Sequence, residues 1–211
     1  METTVRTKGE RTRAAILEQA ARLATMTGLE GLSIGSLATA TGMSKSGLYA
    51  HFGSKRDLQL ATIESARATF VSEVLRPGLA APKGVRRLMA ACEAFLSHVK
   101  RRVFPGGCFF AAAAAEVGTR RGPVRDAVAE QQRDWLELLE RLSKEADELG
   151  ELPLGTDPAR LAFELNALLV AANTAFVLQR DPRTLGRVRT MIGERLGLVG
   201  GDEPRRPDAR R

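Results

Sequence analysis

Hydroxyl, amine and imidazole side chains crowd into one short stretch of the sequence: Ser33, Ser44, Lys45, Ser46, Tyr49, His51 and Lys55, with Gly47 among them. Their shared chemistry is hydrogen-bond donation to anions and to base edges. Ser33 and Ser44 also stand where helix caps belong, and the free N–H groups of a helix N-terminus favour phosphate. The apolar residues between them set the geometry. Ile34, Leu37 and Ala38 fall one helical turn apart, Gly42 can take the positive φ of a tight turn, and Met43 can plug the gap that follows. A second short helix then buries Leu48 and Phe52 and leaves Lys45, Ser46, Gly47 and Tyr49 facing outward. This is helix-turn-helix spacing. Such a helix fits the major groove of B-DNA, about 12 Å wide, with its N-terminal end toward the bases. The pattern alone leaves a plainer reading open, a compact three-helix core built from capped helices and glycine turns.

The elements that must hold this stretch also read as helices. Ile16, Leu17, Ala20, Leu23 and Ala24 share a face between Glu10 and Thr27, with Gly28 as the stop. Ser54-Lys55-Arg56-Asp57 is a capping-box pattern opening a helix that Pro77 ends. Further helices are predicted over 83–102, over 108–117 (apolar nearly all round, hence buried), and from Pro123 to about Leu149. Asp157-Pro158 and Asp181-Pro182 open two more, over 158–179 and 182–196. From Val199 onward Gly, Pro, Asp and Arg dominate, and a disordered tail is expected. The expected fold is all-α with about nine helices.

Composition excludes several classes. The chain has 211 residues, 44% of them apolar and 27% charged, as in an ordinary globule. It has no uninterrupted run of about 18 apolar residues, so no membrane span is expected. Residues 1–10 lack the apolar centre of a secretory signal. Two cysteines, Cys92 and Cys108, cannot build a disulfide framework or a four-ligand zinc site, and a reducing cytoplasm is the expected compartment. No metal or cofactor is expected. The net charge of +7 is spread along the chain, so placement rather than total charge carries the nucleic-acid argument. An enzyme would have to use Cys108, His98 and Glu116. The sequence offers no phosphate loop, metal-ligand spacing or nucleophile elbow, and only two histidines. Cys108 is either a thiolate at a helix start or a small buried residue.

The run Gly42-Met43-Ser44, followed by Leu48-Tyr49-x-His51-Phe52-x-Ser54-Lys55-x-x-Leu58, closely resembles the tetracycline-repressor (TetR) family of bacterial transcription regulators. The match spans roughly residues 10–60. Ser33, Thr41 and Met43 stand where that family usually has Thr, Ala and Val. The resemblance implies an all-helical homodimer whose N-terminal heads bind a near-palindromic operator and whose body binds a small effector. By position, Ser33, Ser44, Tyr49 and Lys55 would hold phosphates, Lys45, Ser46 and Gly47 would face bases, and His51 would sit at the groove edge. A basic run, Arg6, Lys8, Arg11 and Arg13, reads either as a solvated arm or as a contact to a neighbouring phosphate or the minor groove. The expected division is a helix-turn-helix domain over 1–53, a linking helix over 54–76, an effector and dimerisation domain over 77–198, and the tail over 199–211.

The body must be read from its own residues. Helix 158–179 is apolar on more than one face and needs two partners. One is the body, and the other is either its copy in a second subunit, joined by helix 182–196 in a four-helix interface, or further core of the same protomer. Leu169, Asn173, Phe176, Val177, Leu185, Val188 and Ile192 are the expected interface residues. Phe95, Phe110, Glu116, Trp135, Phe163 and Asn166 supply the apolar walls and few polar groups of a small-molecule pocket. Each also has a plain role as core or surface. The expected function is a ligand-responsive DNA-binding regulator, a repressor released from its operator by a small molecule. The alternatives are a helical protein that binds DNA without effector control, and a small helical enzyme.

Overall fold

A computed structural model describes residues 7–199 together with 203–204. Its helices are α1 (Lys8–Thr27), α2 (Ile34–Thr41), α3 (Lys45–Phe52), α4 (Lys55–Phe70), α5 (Arg76–Leu79), α6 (Val85–Lys100), α7 (Phe109–Val117), α8 (Pro123–Glu148), α9 (Pro158–Gln179) and α10 (Arg183–Arg195). A π turn, Val71–Leu75, joins α4 to α5 without a break in helical backbone, so the described residues form nine separate helices. Pro77 lies just after the π turn, inside this continuous helix, and the helix runs on to Leu79 instead of ending where the sequence suggested. Leu198–Val199 pairs antiparallel with Glu203–Pro204, so Val199 lies in a strand rather than in the expected tail. Residues 200–202 and 205–211 of that tail lie outside the described residues.

Several helix boundaries follow from local chemistry. α1 starts at Lys8, before the expected Glu10, because Thr7 and Glu10 form a reciprocal capping box: the Glu10 N–H donates to Thr7 Oγ1 at 3.2 Å and the Thr7 N–H to Glu10 Oε2 at 2.7 Å. Lys8, Arg11 and Arg13 are therefore helical rather than an arm, and Arg6 lies outside the described residues. Ser54 Oγ accepts from the Asp57 N–H at 3.1 Å, as the sequence pattern requires. Asp157 caps α9, accepting from Ala159 and Arg160. α10 begins one residue later than expected, and Asp181 accepts from the Arg183 N–H.

The chain forms two compact units that do not follow sequence order. The first gathers residues up to Thr69 with Phe104–Gln131, and the second gathers Phe70–Val103 with Gln132 onward. In the first unit α1 packs against α2 and α7, and α2 against α3. Leu29, Leu32, Leu37, Leu48 and Leu58 are almost fully buried there. The loop before α7 lies against the end of α1. The Gly106 N–H donates to Thr25 Oγ1, and a Cβ at Gly106 would collide with the Thr25 carbonyl oxygen.

In the second unit α6 packs against α5, α9 and α10. Gly84 precedes α6 and offers no side-chain cap, so remote carboxylates take the orphan amides. Gly84 donates to Glu145 at 3.0 Å and Val85 to Glu151 at 2.7 Å. An aromatic cluster forms the centre of this unit. Phe70 meets Trp135 edge-on at 5.3 Å between ring centroids, and Phe95 stacks on Trp135 at 6.1 Å.

His98 is buried beside Phe70, and burial pushes its pKa down to about 4. Glu73 opposes that shift and Arg101 adds to it. The folded ring stays neutral where the unfolded chain's imidazole, at about 6.5, takes a proton. Its contribution to stability is complete above about pH 6.5 and is lost as pH falls toward 4. The urea midpoint should fall between about pH 7 and about pH 5, and should fall less in His98→Gln. Parallel declines in the two proteins would show that another group is responsible.

α9 is long and apolar enough, by length and composition alone, to cross a membrane. Its apolar character has a plainer source. Leu161, Leu165, Leu169, Ala172 and Phe176 pack inside the protomer, while Phe163 and Leu178 form part of a second, uncovered face.

Candidate nucleic-acid interface

The turn between α2 and α3 is built on Gly42, at φ 68° and ψ 12°, the left-handed conformation that glycine adopts without strain. Each helix carries its own cap. Ser33 Oγ accepts from the Ser36 N–H at 3.0 Å, and Ser36 Oγ accepts from the Ser33 N–H at 2.9 Å. Ser44 Oγ accepts from the Gly47 N–H at 3.1 Å and lies 3.2 Å from Ser46 Oγ. Leu48 and Phe52 anchor α3 in the core, with the Arg13 guanidinium 5.2 Å from the Phe52 ring centroid. Lys45, Ser46 and Tyr49 stay exposed, Tyr49 at 54%, and Gly47 and His51 are half-buried. The outward face of α3 is therefore short, hydroxyl-rich and cationic.

Gly35 lies beside this face. A Cβ there would sit 3.9 Å from Lys45 Cε and 3.7 Å from Ser33 Oγ, ordinary contact distances. The site thus brings Ser33, Ser44, Lys45, Ser46, Gly47 and Tyr49 onto two adjoining capped helices.

Lys55 is engaged differently. Its Nζ lies 3.2 Å from Glu30 Oε2, and Arg120 lies 3.2 Å from the other oxygen. The Lys55 hydrogen bond is the main reason the Glu30 carboxyl is held below its ordinary range. The charges of Lys55 and Arg120 and a hydrogen bond from Gln59 act in the same direction. Glu30 is itself fixed through the backbone. The Leu29 N–H donates to Glu116 Oε2 at 2.6 Å and the Glu30 N–H to Glu116 Oε1 at 2.8 Å. Glu30, Gln59, Glu116 and Arg120 join Lys55 in a polar network that sequence reasoning missed. Glu116 is 86 positions from Glu30, and no local pattern signals that pairing.

The six residues assigned to an effector pocket fall in different surroundings. Phe95 and Trp135 are stacked partners, both buried, and Trp135 Nε1 has no hydrogen-bond partner among the described residues. Phe110 is buried against Phe109 in the first unit. Glu116 is the backbone clamp just described. Asn166 is half-buried, and Phe163 is 65% exposed on α9. Cys108 is buried at the start of α7, and burial pushes its thiol pKa up, against the thiolate that a helix start would favour. Burial raises Cys92 to about 12.

Of the seven residues assigned to a second-copy interface, Leu169, Asn173, Phe176, Leu185, Val188 and Ile192 are buried within the protomer, and Val177 is half-buried. The stripe of α9 left uncovered is Phe163, Ala167, Ala171, Thr174 and Leu178, with Met191 exposed on α10.

Comparison with known proteins agrees with this architecture. Residues 16–62 match the family described as bacterial regulatory proteins, tetR family, and residues 84–192 match the tetracyclin repressor-like C-terminal domain. No curated protein matches the sequence. Among solved structures, a TetR transcriptional regulator from Chloroflexus aurantiacus is similar at 30% identity with a TM-score of 0.80, over 89% of this chain and 94% of that one. A TetR-family regulator from Cytophaga hutchinsonii shares the fold at 21% identity, with a TM-score of 0.79 over 94% of this chain and all of its own. AibR in complex with isovaleryl coenzyme A and operator DNA is similar at 26% identity, with a TM-score of 0.71 over 89% of this chain and 100% of its own. With both family regions matched in order along one chain and α3 presenting its polar face outward, this protein belongs to the TetR family of bacterial transcriptional regulators and is a helix-turn-helix DNA-binding protein.

Proposed function

We propose that the protein is a homodimeric repressor, acting on DNA in the cytoplasm, that leaves its operator when a small molecule binds. The observation that carries the DNA reading is the exposed face of α3, with Lys45, Ser46 and Tyr49 outward and Leu48 and Phe52 anchored beneath. Ser33 and Ser44 present the starts of α2 and α3 to phosphates, and Lys55 and His51 flank them. Few of these side chains can read a base pair bidentately, so backbone contacts and close approach at Gly47 supply much of the affinity. Lys55 reaches a phosphate by sharing Glu30 with Arg120.

The second copy covers the uncovered stripe of α9, Phe163 to Leu178, together with Met191 of α10. Dimerisation brings two α3 helices to bear on half-sites about 34–36 Å apart. The effector binds in the second unit, at the Phe95–Trp135 stack. A hydrogen-bond acceptor on that molecule would satisfy the buried Trp135 Nε1. An effector that favours one arrangement of the body weakens operator binding only by its difference in affinity between arrangements, and operator weakens effector binding equally. The neighbour AibR, solved with an acyl coenzyme A and operator DNA, supports a regulator that takes both kinds of partner.

Fragments of the source genome retained by the protein would supply the operator. On that fragment Tyr49→Ala should bind about tenfold more weakly in a mobility-shift assay, a loss of about 1.4 kcal/mol. Tyr49 is exposed, so the variant should remain a dimer by sizing. Undiminished binding would remove Tyr49 from the interface, and a monomeric wild type would remove the dimer.

A further inference from the structure

We infer a second phosphate-binding site, outside the helix-turn-helix, in the cleft where the start of α4 meets the loop before α8; it rests on the DNA-binding reading above. The cleft has a volume of about 270 Å³ and is lined by Arg56, Arg120, Arg121 and Arg125. Glu30 is the one carboxylate in its lining, and Lys55 and Arg120 already share it, each at 3.2 Å. Arg125 lies 3.2 Å from Asp126. Arg56 and Arg121 are exposed and have no carboxylate partner among the described residues. Four guanidinium groups around one concavity repel one another, and an anion held between them relieves that repulsion. The guanidinium fork matches phosphate oxygens two at a time, which an ammonium cannot do.

Position within the first unit decides which phosphate. Arg56 follows Lys55 directly in the chain, and Glu30 precedes the Ser33 cap by three residues. The cleft therefore takes in the start of α4, next to Lys55, and the loop that leads into α2, and both Lys55 and the start of α2 face the DNA backbone in the reading above. Its occupant is a backbone phosphate of the duplex beside the half-site. Such a contact carries no base identity. It adds the same factor to every sequence and steepens the salt dependence of binding.

The test uses the full chain with Arg56 and Arg121 both replaced by Ala, which leaves both Glu30 ion pairs in place. Affinity for the operator fragment should fall about tenfold or more, and affinity for random duplex should fall by the same factor. The slope of log K against log salt should become shallower by about one for each phosphate that the variant no longer neutralises. The corresponding double Lys variant should recover part of the affinity. Unchanged affinity and slope, in a variant that unfolds at the wild-type midpoint, would overturn the inference. So would unchanged DNA binding combined with inorganic phosphate raising the unfolding temperature of the wild type but not of the variant; that result would give the cleft to a free phosphate compound. Binding weakened by Tyr49→Ala but kept in the double variant sinks the cleft alone. A wild type that retains no genomic fragment sinks both the cleft and the regulator reading.

Discussion

Replacing Phe70 with Ala should lower the unfolding free energy by about 3–5 kcal/mol, the usual range for deleting a buried aromatic side chain. Phe70 is 3% exposed and touches three rings at once: Trp135 at 5.3 Å, Phe95 at 6.4 Å and His98 at 6.4 Å between centroids. Removing it leaves a cavity that cannot close without moving α6 or α8, because Phe95 and Trp135 are already stacked on each other. Edge-on aromatic contacts add to the area term, each about 0.5–1.5 kcal/mol. Phe70→Leu conserves most of the volume and should cost less than the Ala change. Urea unfolding of the two variants gives the comparison, and a Phe70→Ala protein with a wild-type midpoint would show that the cluster is not tightly packed.

Glu116→Ala should cost about 2–4 kcal/mol and should also weaken operator binding. One carboxylate takes two backbone amides, at 2.6 and 2.8 Å, and hydrogen bonds to charged groups contribute about 1.5–3 kcal/mol each. The site is only partly buried, so water recovers some of that loss. Glu116→Gln is an informative companion. It keeps one acceptor oxygen but turns an NH2 group toward the other amide, so it should not restore the wild-type midpoint. The functional consequence runs through the loop between α1 and α2. Glu30 is three residues from the Ser33 cap, and a looser loop moves the start of α2 while α3 keeps its own Ser44 cap. Thermal unfolding and operator titration of the same preparations should therefore both decline. A drop in stability with operator affinity unchanged would confine Glu116 to a folding role.

What could be read in the sequence was local. Gly42 sits left-handed at the turn, and Ser54 and Asp157 cap their helices, because each depends on partners within four residues, and the one-turn spacing of Leu48 and Phe52 marks the buried face of α3. Contacts spanning many positions were out of reach. The Glu116 clamp joins residues 86 and 87 positions apart, and Glu151 caps α6 from 66 positions away. No periodicity encodes such pairings. α9 failed differently. Its composition announces two apolar faces, but not which one the protomer covers for itself. Leu165, Leu169 and Phe176 are inside, and the outer stripe runs through Phe163, Ala167, Ala171 and Leu178. A helix apolar on two sides has no inward direction until its neighbours are placed. Side-chain type alone marks the effector-pocket candidates, and their surroundings range from the buried Phe95–Trp135 stack to the exposed Phe163.

Because the first unit is sewn from two stretches of chain, it cannot be completed as a nascent polypeptide in the order in which it is made. The ribosome delivers α1 to α4 well before Gly106, which docks on Thr25, and before Glu116, which takes the amides of Leu29 and Glu30. A newly made head must wait for residues up to Gln131 before its last amides are covered. A fragment cut after α4 stays in that waiting condition for good, so excising the recognition segment for use as a portable DNA-binding module requires grafting α7 along with it.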